Sequence, residues 1–63
     1  MQKNLEENDL VEFDLKGVTY RGTIAWIYHH KNVADILIKE GNEHIRTNIP
    51  LESLRLLARF VKD

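Results

Sequence analysis

The chain reads as a small all-β domain that curls into a barrel, and three observations carry that reading. The stretch Val18-Thr19-Tyr20-Arg21-Gly22-Thr23-Ile24-Ala25-Trp26-Ile27-Tyr28 is rich in β-branched and aromatic residues, as is Val33-Ala34-Asp35-Ile36-Leu37-Ile38 after it. Turn-forming residues punctuate the runs at Gly17, at Asn32 and at Gly41-Asn42. Gly22 interrupts the long run near its middle, where it permits the bend that lets one strand serve both sides of a small barrel.

With 63 residues there is material for one domain and one core. Cysteine is absent, which removes disulfides, thiolate metal sites and thiol nucleophiles. The apolar runs, such as Ile36-Leu37-Ile38, are far too short to span a bilayer. The first eight residues lack the apolar stretch of a signal peptide, so the expectation is a cytoplasmic protein with no membrane partner. A net charge of −1 argues against a strong grip on nucleic acid. The charges are nonetheless segregated. Glu6, Glu7, Asp9, Glu12 and Asp14 make the start acidic, whereas no acid occurs from Lys16 to Ala34.

Taken in order, residues 1–8 are polar and read as a loose segment. Leu10-Val11-Glu12-Phe13-Asp14 alternates as a half-buried strand does, with Val11 and Phe13 sharing one face. Leu15-Lys16-Gly17 closes it. The second strand places Val18, Tyr20, Gly22, Ile24, Trp26 and Tyr28 on one face by strict alternation. Gly41-Asn42 then reads as a two-residue hairpin loop, which sets Ile38 opposite Ile45, Ile36 opposite Thr47 and Ala34 opposite Ile49.

If Ile24 and Trp26 share the core with those even-numbered residues, the loop before Val33 must have an odd length. His30-Lys31-Asn32 satisfies this and pairs Trp26 with Ile36 and Ile24 with Ile38. A four-residue loop would instead set Trp26 against Asp35 and bury a carboxylate. The odd loop leaves Ala25, Ile27, Val33 and Leu37 as an apolar cluster on the outer face. That cluster asks for a cover, either from the N-terminal segment or Leu57, Phe60 and Val61, or from a partner.

In the last segment, Pro50 followed by Leu51, Leu54, Leu57, Ala58 and Val61 fits a helical stripe. A 3₁₀ turn at Leu51–Ser53 with a strand at Leu54–Leu57 fits as well and is the preferred reading, leaving a short C-terminal helical extension as the alternative.

The order of these features resembles the SH3-like small barrels, in particular modules of the Tudor and KOW types. The residues that carry the resemblance are Asp9-Leu10-Val11-Glu12-Phe13, Tyr20-Arg21-Gly22-Thr23-Ile24, Glu40-Gly41-Asn42 and Ile49-Pro50-Leu51-Glu52-Ser53-Leu54-Arg55-Leu56-Leu57. The resemblance implies a five-stranded, partly open barrel over residues 9–57, with a 3₁₀ turn before the last strand and a tail at 58–63. It also implies a non-catalytic binding module. Tudor modules hold methylated lysine or arginine in an aromatic cage, and here only Tyr20 falls on a matching position. KOW-type modules commonly contact RNA or ribosomal and transcription partners.

Chemistry-bearing residues are sparse. His29 and His30 are adjacent and point to opposite faces, and His44 lies at the far end of its hairpin, so no metal site and no cofactor are expected. Ser53, Thr19, Thr23 and Thr47 have no histidine beside them, and catalysis is not expected. The expectation is a module that binds a protein partner, or itself as a homodimer, through Ala25, Ile27, Val33 and Leu37. The alternative is weak binding of RNA or single-stranded DNA through Lys16, Tyr20, Arg21, Trp26, Tyr28, His29 and Lys31.

Overall fold

A computed structural model describes residues 4–60. The strands are β1 (Leu10–Leu15), β2 (Val18–Tyr28), β3 (Val33–Ile38), β4 (His44–Pro50) and β5 (Arg55–Ala58), with a 3₁₀ turn at Leu51–Ser53 before β5. They form one five-stranded antiparallel sheet in the order β4-β3-β2-β1-β5, which is not closed. No helix longer than the 3₁₀ turn occurs among the described residues, so the helical reading of the last segment is set aside up to Phe60. Val61, the last residue of that stripe, lies outside the described residues.

The first hairpin follows its sequence. Leu15 pairs with Val18 across Lys16 (φ 52°) and Gly17 (φ 81°), the two positive-φ positions of a type I′ turn. Val11 and Phe13 are buried as alternation requires. Gly22 is buried with the β3 backbone close against it. A Cβ there would lie 2.8 Å from Ile36 Cγ2 and 3.0 Å from the Leu37 carbonyl carbon. Only glycine fits that approach.

The β2–β3 register corrects the sequence reading. The turn spans residues 29–32, four rather than three, and pairs Tyr28 with Val33, Ile27 with Ala34 and Trp26 with Asp35. Asn32 takes the left-handed conformation (φ 56°). Beyond Trp26 the register shifts, and Ile24 pairs with Ile36 across a bulge at Ala25. The bulge inserts one residue and so reverses parity: Ile24 and Ile27 both face the core, while Trp26 turns outward. Trp26 is 54% exposed and Ile27 7%. Tyr28, also placed inward by strict alternation, is exposed. The four-residue turn therefore buries no carboxylate in the core, because Asp35 faces outward with Trp26.

The β3–β4 register is corrected in the same way. Ala34 pairs with Ile49 as expected, but Ile36 pairs with Arg46, Leu37 with Ile45 and Ile38 with His44. The connection is longer than Gly41-Asn42 alone, and a second bulge lies at Thr47-Asn48, where Asn48 has φ 59°. Ile45, expected in the core, is therefore on the outer face and 54% exposed.

Both bulges lie level with Asp35. Its carboxylate accepts from the Tyr28 hydroxyl at 2.9 Å on one side and from the Asn48 backbone N–H at 3.3 Å on the other. β3 is the regular strand, with Ala34, Ile36 and Ile38 inward, and its neighbours each bulge around Asp35. The core these strands enclose contains Val11, Phe13, Ile24, Ile27, Ala34, Ile36, Ile38, Ile49 and Leu54.

Residues 4–8, read from sequence as loose, make a turn docked on β2. Asn8 N–H donates to Ile24 O at 2.8 Å, Ile24 N–H donates to Asp9 O at 3.0 Å, and Leu5 packs against the core. Asp9 is 1% exposed. Arg59 reaches it with two hydrogen bonds of 2.9 Å and also donates to the Asn4 carbonyl, so a buried carboxylate ties the two ends of the described chain together.

Candidate functional site

The outer face of the sheet divides into two halves of opposite character. Over β1, β5 and the first half of β2 it is a charged ladder. Arg21 Nε donates to Glu12 at 3.3 Å, and Arg55 Nε donates to the other Glu12 oxygen at 3.1 Å. Arg55 also donates to both oxygens of Asp14, at 3.2 and 3.3 Å, and the Thr19 hydroxyl donates to Asp14 at 2.6 Å. The carboxyls respond. Hydrogen bonds from Arg55 and then Arg21 hold Glu12 below its ordinary pKa, and those from Thr19 and then Arg55 do the same for Asp14.

Over the second half of β2, β3 and β4 the outer face is apolar. Leu37 lies between Thr23 and Ile45 in the cross-strand row, and Trp26 stands on the diagonal beside it, opposite Asp35. The next row is Tyr28, Val33 and Pro50. Trp26, Tyr28 and Ile45 are exposed, and Leu37 and Val33 are half-buried. The hydrogen bond to Asp35 orients Tyr28 across this surface and raises its phenol pKa, because the neighbouring carboxylate opposes ionisation.

Of the four residues expected to form the interaction face, Val33 and Leu37 are there. Ala25 is the exposed bulge residue, and Ile27 is in the core. The surface thus has Trp26 and Ile45 in place of Ile27, both of which simple alternation assigned inward. The signal for this lies in the spacing of apolar residues: Ile24 and Ile27 are three apart, and a strand puts such a pair on one face only through a bulge.

The residues of the alternative, nucleic-acid reading are scattered. Lys16 is in the β1–β2 turn, and His29 and Lys31 are in the β2–β3 turn, all exposed. Arg21 is tied to Glu12. Tyr20 points inward, stacked on Phe13 with ring centroids 5.6 Å apart, and Arg46 covers its other side. Trp26 and Tyr28 lie on the apolar half of the outer face and Arg21 on its charged half, while Tyr20 is on the inner face.

Leu57 and Phe60, suggested as a cover for the outer cluster, are themselves exposed, and Val61 lies outside the described residues. Among the described residues no group of three or more His, Asp or Glu side chains could hold a metal ion. A shallow, open depression lies between the N-terminal turn and the end of β2, bordered by Leu5, Glu6, Glu7, Asn8, Ile27 and His29. No helix among the described residues is long and apolar enough to cross a membrane. Compared with protein-family models, curated proteins and solved structures, the chain matches none.

Proposed function

We propose that the chain is a non-enzymatic interaction module built as an SH3-like small barrel of Tudor or KOW type, acting in the cytoplasm. It binds a protein partner, or a second copy of itself, through the outer apolar face of β2, β3 and β4. The single observation that carries this is the outward turn of Trp26 at the Ala25 bulge. It sets a large aromatic side chain beside Ile45 and Leu37 on a face with no cover among the described residues. Aromatic side chains are the favoured anchors of protein interfaces, since they bury much area at little conformational cost. The strand order with a 3₁₀ turn before β5 supports the barrel type.

The nucleic-acid reading has less behind it, since Arg21 is occupied by Glu12 and Tyr20 by Arg46. Sedimentation over a wide concentration range, with acrylamide quenching of Trp26 in the same samples, tests the proposal. The chain has one tryptophan, so the signal is unambiguous. Self-association that shields Trp26 supports the proposal. A strict monomer with Trp26 equally open at every concentration removes the homodimer. Binding of a generic single-stranded oligonucleotide at low salt would favour the alternative over the protein-partner reading.

A further inference from the structure

The chain has four arginines, and three of them are held by carboxylates: Arg21 by Glu12, Arg55 by Glu12 and Asp14, and Arg59 by Asp9. Arg46 has no such partner among the described residues. Its guanidinium lies over the Tyr20 ring, 5.0 Å from the centroid, and Nη2 donates to the Tyr20 hydroxyl at 3.2 Å. Tyr20 in turn rests on the buried ring of Phe13. Arg46 Nε is buried and makes no hydrogen bond. Nε is closed off from solvent, so what an anion can answer is the half-buried charge, through the Nη groups.

We propose that Arg46 and Tyr20 form a seat for a carboxylate. The Tyr20 ring beneath Cζ and the Nη2 hydrogen bond to its hydroxyl hold the guanidinium in place, so the remaining N–H groups of Nη1 and Nη2 are a preorganised fork, the geometry that planar carboxylates match. The Tyr20 hydroxyl accepts from Arg46 and keeps its own proton to donate to the same anion. Phosphate is a poorer match, because it brings about 1.5–2 negative charges to a single guanidinium. One further basic side chain shares this face of β4, His44, and its Nδ1 is engaged with the Asn42 carbonyl at 2.7 Å. β4 is an edge of the sheet, so no further strand walls off the seat. The seat lies on the opposite face from Trp26, and it stands or falls independently of the apolar surface.

The test is an NMR titration of the full chain near neutral pH, following the Arg46 Nε–Hε and Tyr20 ring signals at constant ionic strength. The probes are acetate, inorganic phosphate, and N-acetyl-dialanine as the free acid and as the amide. Saturable shifts with acetate and with the peptide acid, absent with the amide and weaker with phosphate, are expected. Tighter binding of the peptide acid than of acetate assigns the seat to a peptide carboxylate, and equal binding assigns it to a small free acid. Arg46→Gln is expected to weaken binding about tenfold or more, the loss of a charge-assisted hydrogen bond. Should Arg46→Gln fail to fold, Tyr20→Phe keeps the stack and is expected to weaken binding several-fold. Shifts that never saturate, equal binding of acid and amide, tighter binding of phosphate, or unchanged affinity in the folded variant overturn the proposal.

Discussion

Gly22→Ala separates this packing from an ordinary strand glycine. In a strand with room, alanine in place of glycine stabilises by about 0.4–1 kcal/mol, because it restricts the unfolded chain. At position 22 the added Cβ falls 2.8 Å from Ile36 Cγ2 and well inside contact with the Leu37 carbonyl oxygen. Neighbouring backbone cannot swing aside as a side-chain tip does, so β2 and β3 must part next to the Thr23–Leu37 pair. Overpacking of this kind costs about 1–3 kcal/mol, and each ladder hydrogen bond weakened adds about 1 kcal/mol. The expected loss is thus about 3 kcal/mol. For a domain of 63 residues, with a total stability of roughly 3–9 kcal/mol, that is a large share. Urea unfolding followed by circular dichroism measures it, with an unchanged slope confirming that stability alone has moved. A Gly22→Ala protein as stable as the parent, or more so, would refute the close approach of β2 to β3.

Two further perturbations probe the polar contacts. Asp9 is held below its ordinary pKa chiefly by the hydrogen bonds from Arg59, against the opposing effect of burial, so its ionised form stabilises the fold. That contribution is fully present above the unfolded value of roughly pH 4 and is lost as pH falls through the lower folded value. Asp9→Asn should unfold more readily near neutral pH and show a flatter loss of stability on acidification; an acid-unfolding curve parallel to the parent's contradicts this. Asp35→Ala removes the acceptor shared by the two bulges and should cost about 0.5–1.5 kcal/mol, the net worth of the exposed hydrogen bonds from Tyr28 and Asn48. A loss near zero by thermal unfolding would show that the bulges hold without it.

Strand identities were legible in the sequence because local composition decides them. Alternation in Leu10–Asp14, the punctuation at Lys16-Gly17 and the proline-led turn at Leu51–Ser53 each act over a few residues. Register was not legible in the same way, since it depends on whether a strand is continuous. Strict alternation through Ala25 sent Trp26 inward, and the same assumption through Thr47 sent Ile45 inward. Each bulge reversed one half of a strand and with it the composition of the outer face. The spacing of three between Ile24 and Ile27 was the available sign. The Asp9–Arg59 tie joins residues fifty positions apart, and no local pattern announces it. Likewise, nothing local sets Arg46 over Tyr20.

The Ala25 bulge exchanges Trp26 for Ile27 in the core, and the outer apolar surface depends on that exchange. Urea unfolding of Trp26→Ser, followed by circular dichroism, tests that exchange. With Trp26 on the surface, the variant should stay folded and lose about 1 kcal/mol or less, the scale of an exposed strand substitution. A loss of about 3–5 kcal/mol, the cost of emptying a tryptophan site in a core, would contradict the register and the interaction surface built on it.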